Sequence, residues 1–139
     1  MDCAFCRIAQ GEKDSRVVLE DEATLAFLDH RPLFHGHTLL IPKAHHETLP
    51  ELPPALLAPL FHKAQVLAWA MEAALGADGA LVVINNKVSQ SVPHLHVHVV
   101  PRRKKDGLKG FFWPRQPYES PAQMDQVCAI LKAALAALR

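Results

Sequence analysis

The sequence predicts an α+β domain built on an antiparallel sheet. Five short apolar runs follow one another at hairpin-like spacing, and two longer stretches carry apolar residues at helical spacing. The chain has 139 residues, half of them hydrophobic, which suits one domain with one core. Strands grouped this way, with few helices between them, read as α+β rather than as alternating βα units.

The first two runs, Val17 to Glu20 and Thr24 to Asp29, straddle the acidic pair Asp21-Glu22 and read as a hairpin. His37 to Ile41 is a third strand, stopped by Pro42. From about Pro54 to Leu75, the residues Leu57, Leu60, Phe61, Ala64, Leu67, Ala68, Met71 and Leu75 keep helical spacing, and Gly76 stands where a helix ends. Pro59 fits such a helix only in its first turn or at a kink. Ala80 to Ile84 is continuously apolar and ends at Asn85-Asn86, as a strand followed by a turn does. His94 to Val100 alternates strictly before Pro101. Ser120-Pro121-Ala122-Gln123 is a capping box with proline at the first helical position. Met124, Val127, Cys128, Leu131, Leu135 and Leu138 then form an apolar stripe, on which Cys128 reads as a buried thiol.

Fifteen basic against fourteen acidic residues leave a net charge of +1. That balance gives no reason to expect nucleic acid or a membrane surface as partner. No apolar run approaches the roughly 20 residues of a membrane span, and the N-terminus lacks the pattern of a signal peptide. Three cysteines do not make a disulfide framework. Together these features point to a reduced, cytoplasmic protein.

Histidine is the outlier, at nine residues. Three of them, His94, His96 and His98, alternate along one predicted strand. A strand has a side-chain period of two, so the three share one face, about 6.6 Å apart, while Leu95, Val97 and Val99 share the other. At this composition such a triplet arises by chance about 0.04 times per chain. Its bland alternative is a half-buried strand with histidines on the wet face.

The run His94-Leu95-His96-Val97-His98-Val99-Val100 resembles the signature of the histidine triad family of nucleotide hydrolases and transferases. Supporting stretches are Cys3 to Ile8, Ala26 to Asp29, Gly36 to His45, and Gln90 to Val92. The resemblance implies one domain over 1–139, with a core of about 3–102 and a C-terminal extension with its helix over about 103–139. It implies a five-stranded antiparallel sheet with a long central helix and a C-terminal helix, assembled as a homodimer. It implies a purine nucleotide as substrate, with AMP or GMP as product, and cleavage at the α-phosphate of phosphoramidates or dinucleoside polyphosphates.

In that reading His96 is the nucleophile and His98 hydrogen-bonds the phosphate or bridging oxygen, with no metal required for the chemical step. Imidazole suits the first role because its neutral nitrogen is nucleophilic near pH 7. Gln90 and Ser91 match the phosphate-contacting pair, Asn85 a phosphate-facing position, and Asp29 the acceptor of ribose hydroxyls. On their own, Asn85 and Asp29 are also ordinary turn residues. The loop from Asn85 to Gln90 is shorter than is usual in the family, with Ser89 in place of a glycine, which leaves the assignment open between Asn85 and Asn86.

Cys3-x-x-Cys6 reads either as a redox pair or as half of a tetrahedral zinc site. Zinc-bearing members of the family complete the site at the positions of His45 and His94, so the resemblance implies structural Zn²⁺ on Cys3, Cys6, His45 and His94. His46 competes with His45. The resemblance leaves His37 either orienting another histidine or simply packing. Two other readings stand beside the enzyme: a nucleotide sensor with little turnover, and a zinc hydrolase that ligates its metal through the triad itself. The aromatic run Gly110 to Arg115 is expected to line a leaving-group pocket.

Overall fold

The computed structural model describes residues 2–108 and 115–138. Among them, the chain divides into one compact unit ending at Asp106 and a second beginning at Gly107. In the first, β1 (Val17–Glu20), β2 (Thr24–Leu28), β3 (Thr38–Pro42), β4 (Gly79–Ile84) and β5 (Val97–Arg102) form one antiparallel sheet in the order β1-β2-β3-β5-β4. Helix α1 (Ala4–Ala9) precedes the sheet, and α2 (Leu57–Leu75) crosses over between β3 and β4.

Each turn has a local cause. Asp21 closes the first hairpin: its Oδ1 accepts the amides of Ala23 and Thr24 at 3.0 and 2.8 Å and the Thr24 hydroxyl at 2.8 Å. Lys63 on α2 reaches the same carboxylate at 2.8 Å and holds it well below the usual carboxylate range. In α2 the buried residues Leu60, Ala64, Leu67 and Met71 fall on one face. Pro59 lies in its first turn, where a missing amide costs nothing, and Pro54–Leu56 forms a short 3₁₀ turn ahead of it. Gly76, at φ +65°, ends the helix in the left-handed conformation.

Because side chains alternate, the sheet has two different faces. Ala26, Leu40, Leu95, Val97 and Val99 pack with Leu60, Ala64, Leu67 and Met71 beneath α2. Leu25, Phe27, Leu39 and Ile41 point the other way and pack with Cys3 and Phe5 of the N-terminal segment. Full burial of a side chain such as Leu60 stabilises the fold by about 1.5–3 kcal/mol.

Three details differ from the sequence expectation. First, α1 is an additional helix, capped by the Cys3 thiol, which accepts from the Cys6 amide at 3.4 Å. Second, the last strand starts at Val97, not His94, and runs through Pro101. The Leu95 amide donates to the His46 carbonyl at 2.7 Å instead of joining the ladder. Pro101 is tolerated because pairing with β3 ends at Val99, so no partner there needs its missing N–H. Third, Cys128 is exposed rather than buried. It lies on α3 (Pro121–Ala137), whose stripe residues Met124, Leu131 and Leu135 are exposed as well. Among the described residues, its unit offers no second layer for it to pack against. Its capping box does form: Ser120 accepts from the Gln123 amide at 3.1 Å, and Gln123 accepts from the Glu119 amide at 2.7 Å. Gly110 to Pro114 lie outside the described residues.

Candidate functional site

Two clusters meet along the segment His94 to His98, on the face opposite α2. The first contains Cys3, Cys6, His45 and His94, whose ligand atoms all lie within 4.8 Å of one another. His94 Nδ1 stands 3.4 Å from Cys3 Sγ, 3.5 Å from Cys6 Sγ and 3.3 Å from His45 Nδ1, and Cys6 Sγ is 3.3 Å from His45 Nδ1. A tetrahedral zinc ion with ordinary bond lengths gives N···N and S···N edges of about 3.3 and 3.6 Å. His94 Nε2 donates to the Pro42 carbonyl at 2.8 Å. The neutral ring therefore turns an unprotonated Nδ1 toward the thiols, an outer-shell arrangement common to metal-binding histidines. Burial, then the hydrogen bond and charge of Cys3, push the Cys6 thiol up to about 11. A divalent cation among these groups reverses that balance. The donor set and its spacing fit zinc.

The second cluster holds His96, His98, His37 and Asp29. His96 Nδ1 donates to the His94 carbonyl at 2.7 Å, because a carbonyl can only accept. In the neutral ring, Nε2 then carries the free lone pair. A longer chain of bonds sets His98. The Leu33 amide donates to His37 Nδ1 at 3.0 Å, so His37 carries its proton on Nε2. That proton is donated to His98 Nδ1 at 2.9 Å. His98 consequently bears its own proton on Nε2. One triad ring thus offers a lone pair and the other offers a proton.

Burial keeps these rings neutral. It is the largest cause lowering His96 and His37 below their ordinary 6.5, partly opposed by Asp29. For His98, burial and then the neighbouring His96 and His37 bring the value down to about 4. Asp29 lies 3.7 Å from His37 Nε2, and its Oδ1 accepts the Arg31 amide at 2.9 Å. The three triad rings do not converge on a single ligand set among the described residues, since His94 turns to the cysteines. Of the triad, His98 shares a second possible ligand group, with Asp29 and His37, and His96 joins neither group among the described residues.

The loop before the triad is more committed than its sequence implies. Asn86 Oδ1 accepts the Leu49 amide at 2.8 Å, a structural use that leaves Asn85 as the less constrained of the pair. Gln90 bridges the loop: Oε1 accepts from the Lys87 amide at 2.8 Å and Nε2 donates to the Glu47 carbonyl at 2.6 Å. One donor and one acceptor position remain on its amide. Ser91 is exposed. Ser89 adopts φ +60°, which explains why glycine suits that position. His46 contributes its backbone carbonyl, not its ring, to the turn before the triad.

Two residues matter more than their sequence signal. His37 sits in a Gly-His pair that reads equally well as packing. Phe5, between two cysteines, is buried in the core, yet its ring stands perpendicular to that of His96, with centroids 5.0 Å apart. Only the neighbouring Cys-x-x-Cys draws attention to it.

Known proteins resemble this chain over most of its length. Residues 10–105 match the model of the HIT domain. The chain is 39% identical over 109 residues to the adenylylsulfatase HINT3 of Arabidopsis thaliana, covering 77% of this chain and 55% of that protein. This chain thus spans about half of that relative's length. It is 38% identical over 117 residues to the adenosine 5'-monophosphoramidase HNT1 of Saccharomyces cerevisiae, covering 82% and 71%. A Zn-bound histidine triad family protein from Mycobacterium smegmatis superimposes with a TM-score of 0.74 at 39% identity, covering 99% of this chain and 96% of that one.

Proposed function

The chain belongs to the HIT domain family, and on that premise we propose that it is a nucleotide hydrolase or nucleotidyl transferase acting through a covalent intermediate on His96. The observation that carries this reading is the opposed protonation of two adjacent rings, with Nε2 bare on His96 and protonated on His98. His96 Nε2 attacks the α-phosphorus, a P–N bond forms, and the bond to the leaving group breaks. His98 Nε2–H donates to the leaving atom. Water then attacks the same phosphorus and loses a proton to solvent, the P–N bond breaks with its electron pair returning to His96 Nε2, and AMP or GMP departs. His37 serves by fixing the tautomer of His98. Asp29 accepts the ribose hydroxyls, and Asn85, Gln90 and Ser91 border the phosphates.

The Cys3, Cys6, His45 and His94 cluster is read as a structural zinc site. Zinc bound there ties the N-terminal segment to the triad and takes no part in the reaction. The zinc-bound mycobacterial relative supports this assignment. Single-domain organisation over 1–139 and a cytoplasmic setting belong to the same reading; Cys3, Cys6 and Cys128 are free, and no helix among the described residues is long and apolar enough to cross a membrane. A homodimer is supported by the exposed Phe61 and Trp69 of α2 and Val82 of the edge strand β4.

The test is a substrate panel of adenosine phosphoramidate, adenylyl sulfate and dinucleoside tri- and tetraphosphates, read by intact-mass spectrometry. An adduct of one nucleotidyl group is expected on the wild type, with turnover lost by orders of magnitude in His96→Ala while nucleotide binding persists. Equal rates for the two proteins refute the mechanism.

A further inference from the structure

We propose that Phe5 is a positioning residue for His96, so that the N-terminal helix sets the aim of the nucleophile. This rests on the reading of His96 as the attacking group. The hydrogen bond to the His94 carbonyl selects which nitrogen of His96 is bare, but it fixes a single point of the ring. The χ2 torsion of histidine is broad, so one bond leaves the plane of the ring free to swing. Phe5 supplies a further constraint, beside the tilted His98 ring whose centroid lies 4.9 Å away. Its ring meets His96 at an interplanar angle of 89° and 5.0 Å between centroids, and it meets His94 at 68° and 6.0 Å. Behind it, Phe27 holds Phe5 edge-on at 5.4 Å. Phe5 is itself 8% exposed, packed with Leu25, Leu39 and Ile41, so it has little room to follow a moving imidazole.

The placement of Phe5 is in turn set by its neighbours in the chain. Cys3 caps α1 and approaches His94, and Cys6 approaches both His45 and His94. Phe5, between the two thiols, is therefore pinned on both sides to the segment that carries His96. A displacement of about 1 Å at a reacting group costs on the order of 100-fold in rate. Loss of this ring contact is expected to act on the chemical step and to spare binding.

The experiment compares wild type, Phe5→Leu and Phe5→Tyr, with Phe5→Met in place of the leucine variant if that one does not fold. Single-turnover formation of the nucleotidyl adduct is measured beside KM. The ring N–H resonance of His96 is followed by NMR in the nucleotide-free protein. For Phe5→Leu we expect adduct formation to slow at least tenfold, KM to stay within about twofold, and the ring N–H signal to broaden or vanish through exchange. Phe5→Tyr, which keeps the perpendicular ring, restores both readouts. A raised KM with unchanged adduct rate overturns the proposal and makes Phe5 a wall for substrate. An unchanged rate with a sharp N–H signal also overturns it, as does a tyrosine variant that behaves like leucine. If the wild type forms no adduct, the proposed function fails, and the NMR signal alone then decides the role of Phe5.

Discussion

Gly36 offers a test in which geometry sets the size of the effect. It adopts φ +105°, outside the range that L-residues readily occupy, which costs a side-chain-bearing residue about 1–3 kcal/mol. A Cβ built there falls 2.5 Å from Leu75 Cδ1, 3.4 Å from Pro101 Cγ and 3.8 Å from Met71 Sδ. The nearest of these is the tip of a residue that is 44% exposed, so it can swing aside at a further cost of about 1 kcal/mol. Gly36→Ala should therefore lose about 3 kcal/mol, which lowers Tm by about 10 °C at this chain length. Gly76→Ala is the control. It shares a positive φ, at +65°, but a Cβ there meets nothing within 4 Å, so only the backbone cost of about 1–2 kcal/mol applies. Calorimetry of the two variants and of Gly36→Ala combined with Leu75→Ala separates strain from contact. The double variant should be less destabilised than the sum of its parts. Equal losses at Gly36 and Gly76, or strict additivity with Leu75→Ala, refute the reasoning. Because Gly36 directly precedes His37, the Gly36 variant should also disturb the bond from His37 to His98.

Three further outcomes follow from the same geometry. The purified protein should carry one zinc per chain, and chelation should lower Tm; an equal Tm with and without chelator, at proven metal loss, refutes a structural role. Stability should fall on acidification through His98. Its value is lowered from 6.5 to about 4, so the unfolded chain binds the extra proton between those values. The stabilisation is complete above about pH 6.5 and is lost as pH drops toward 4. The gap is worth at most about 3 kcal/mol, and solvent contact on the half-buried ring reduces it to about 1–2 kcal/mol. Denaturant midpoints at pH 7 and 4.5 that coincide in wild type, or that shift equally in His98→Asn, count against this. Finally, Ser89→Gly should raise stability by about 0.5–1 kcal/mol by relieving the φ of +60°, measured by urea unfolding, whereas an unchanged or lower midpoint argues against strain there.

Much of the molecule was legible from local patterns. The period of two in Val97 to Val100, the period of 3.6 in α2 and the Ser120 capping box are each set by neighbours in sequence, and each forms. The N-terminal helix was not legible in this way. Its six residues are too few to show a period, and its cap is a thiol rather than a hydroxyl or carboxylate. The start of β5 departs from the sequence pattern for a different reason. His94 to His96 alternate as a strand does, but contacts to Pro42 and His46, some fifty residues away, draw the segment off the ladder. In the site, residue types and family spacing pointed to His94, His96 and His98. The tautomers did not follow from sequence, because they depend on the Leu33 amide and the His94 carbonyl. Nor did the engagement of Asn86 and Gln90 with loop backbone, which leaves less free hydrogen-bonding capacity than their names imply.

The alternation of side chains across His94 to Val99 also divides this chain into places where length can vary and places where it cannot. Inserting or deleting one residue between Pro93 and Val97 reverses which face each later side chain occupies. An insertion ahead of His94 would misdirect the thiol-facing ring, the proposed nucleophile and the apolar contacts beneath α2 at once. In a library of single-residue insertions this stretch should be an interval of complete intolerance, although substitutions such as Leu95→Met on its apolar face survive. The neighbouring turn has the opposite character. Lys87, Val88 and Ser89 are exposed, and Val88 is 80% exposed, so added length there bulges into water without moving the pleat. Length can therefore vary in that turn while the frame of the histidines stays constant.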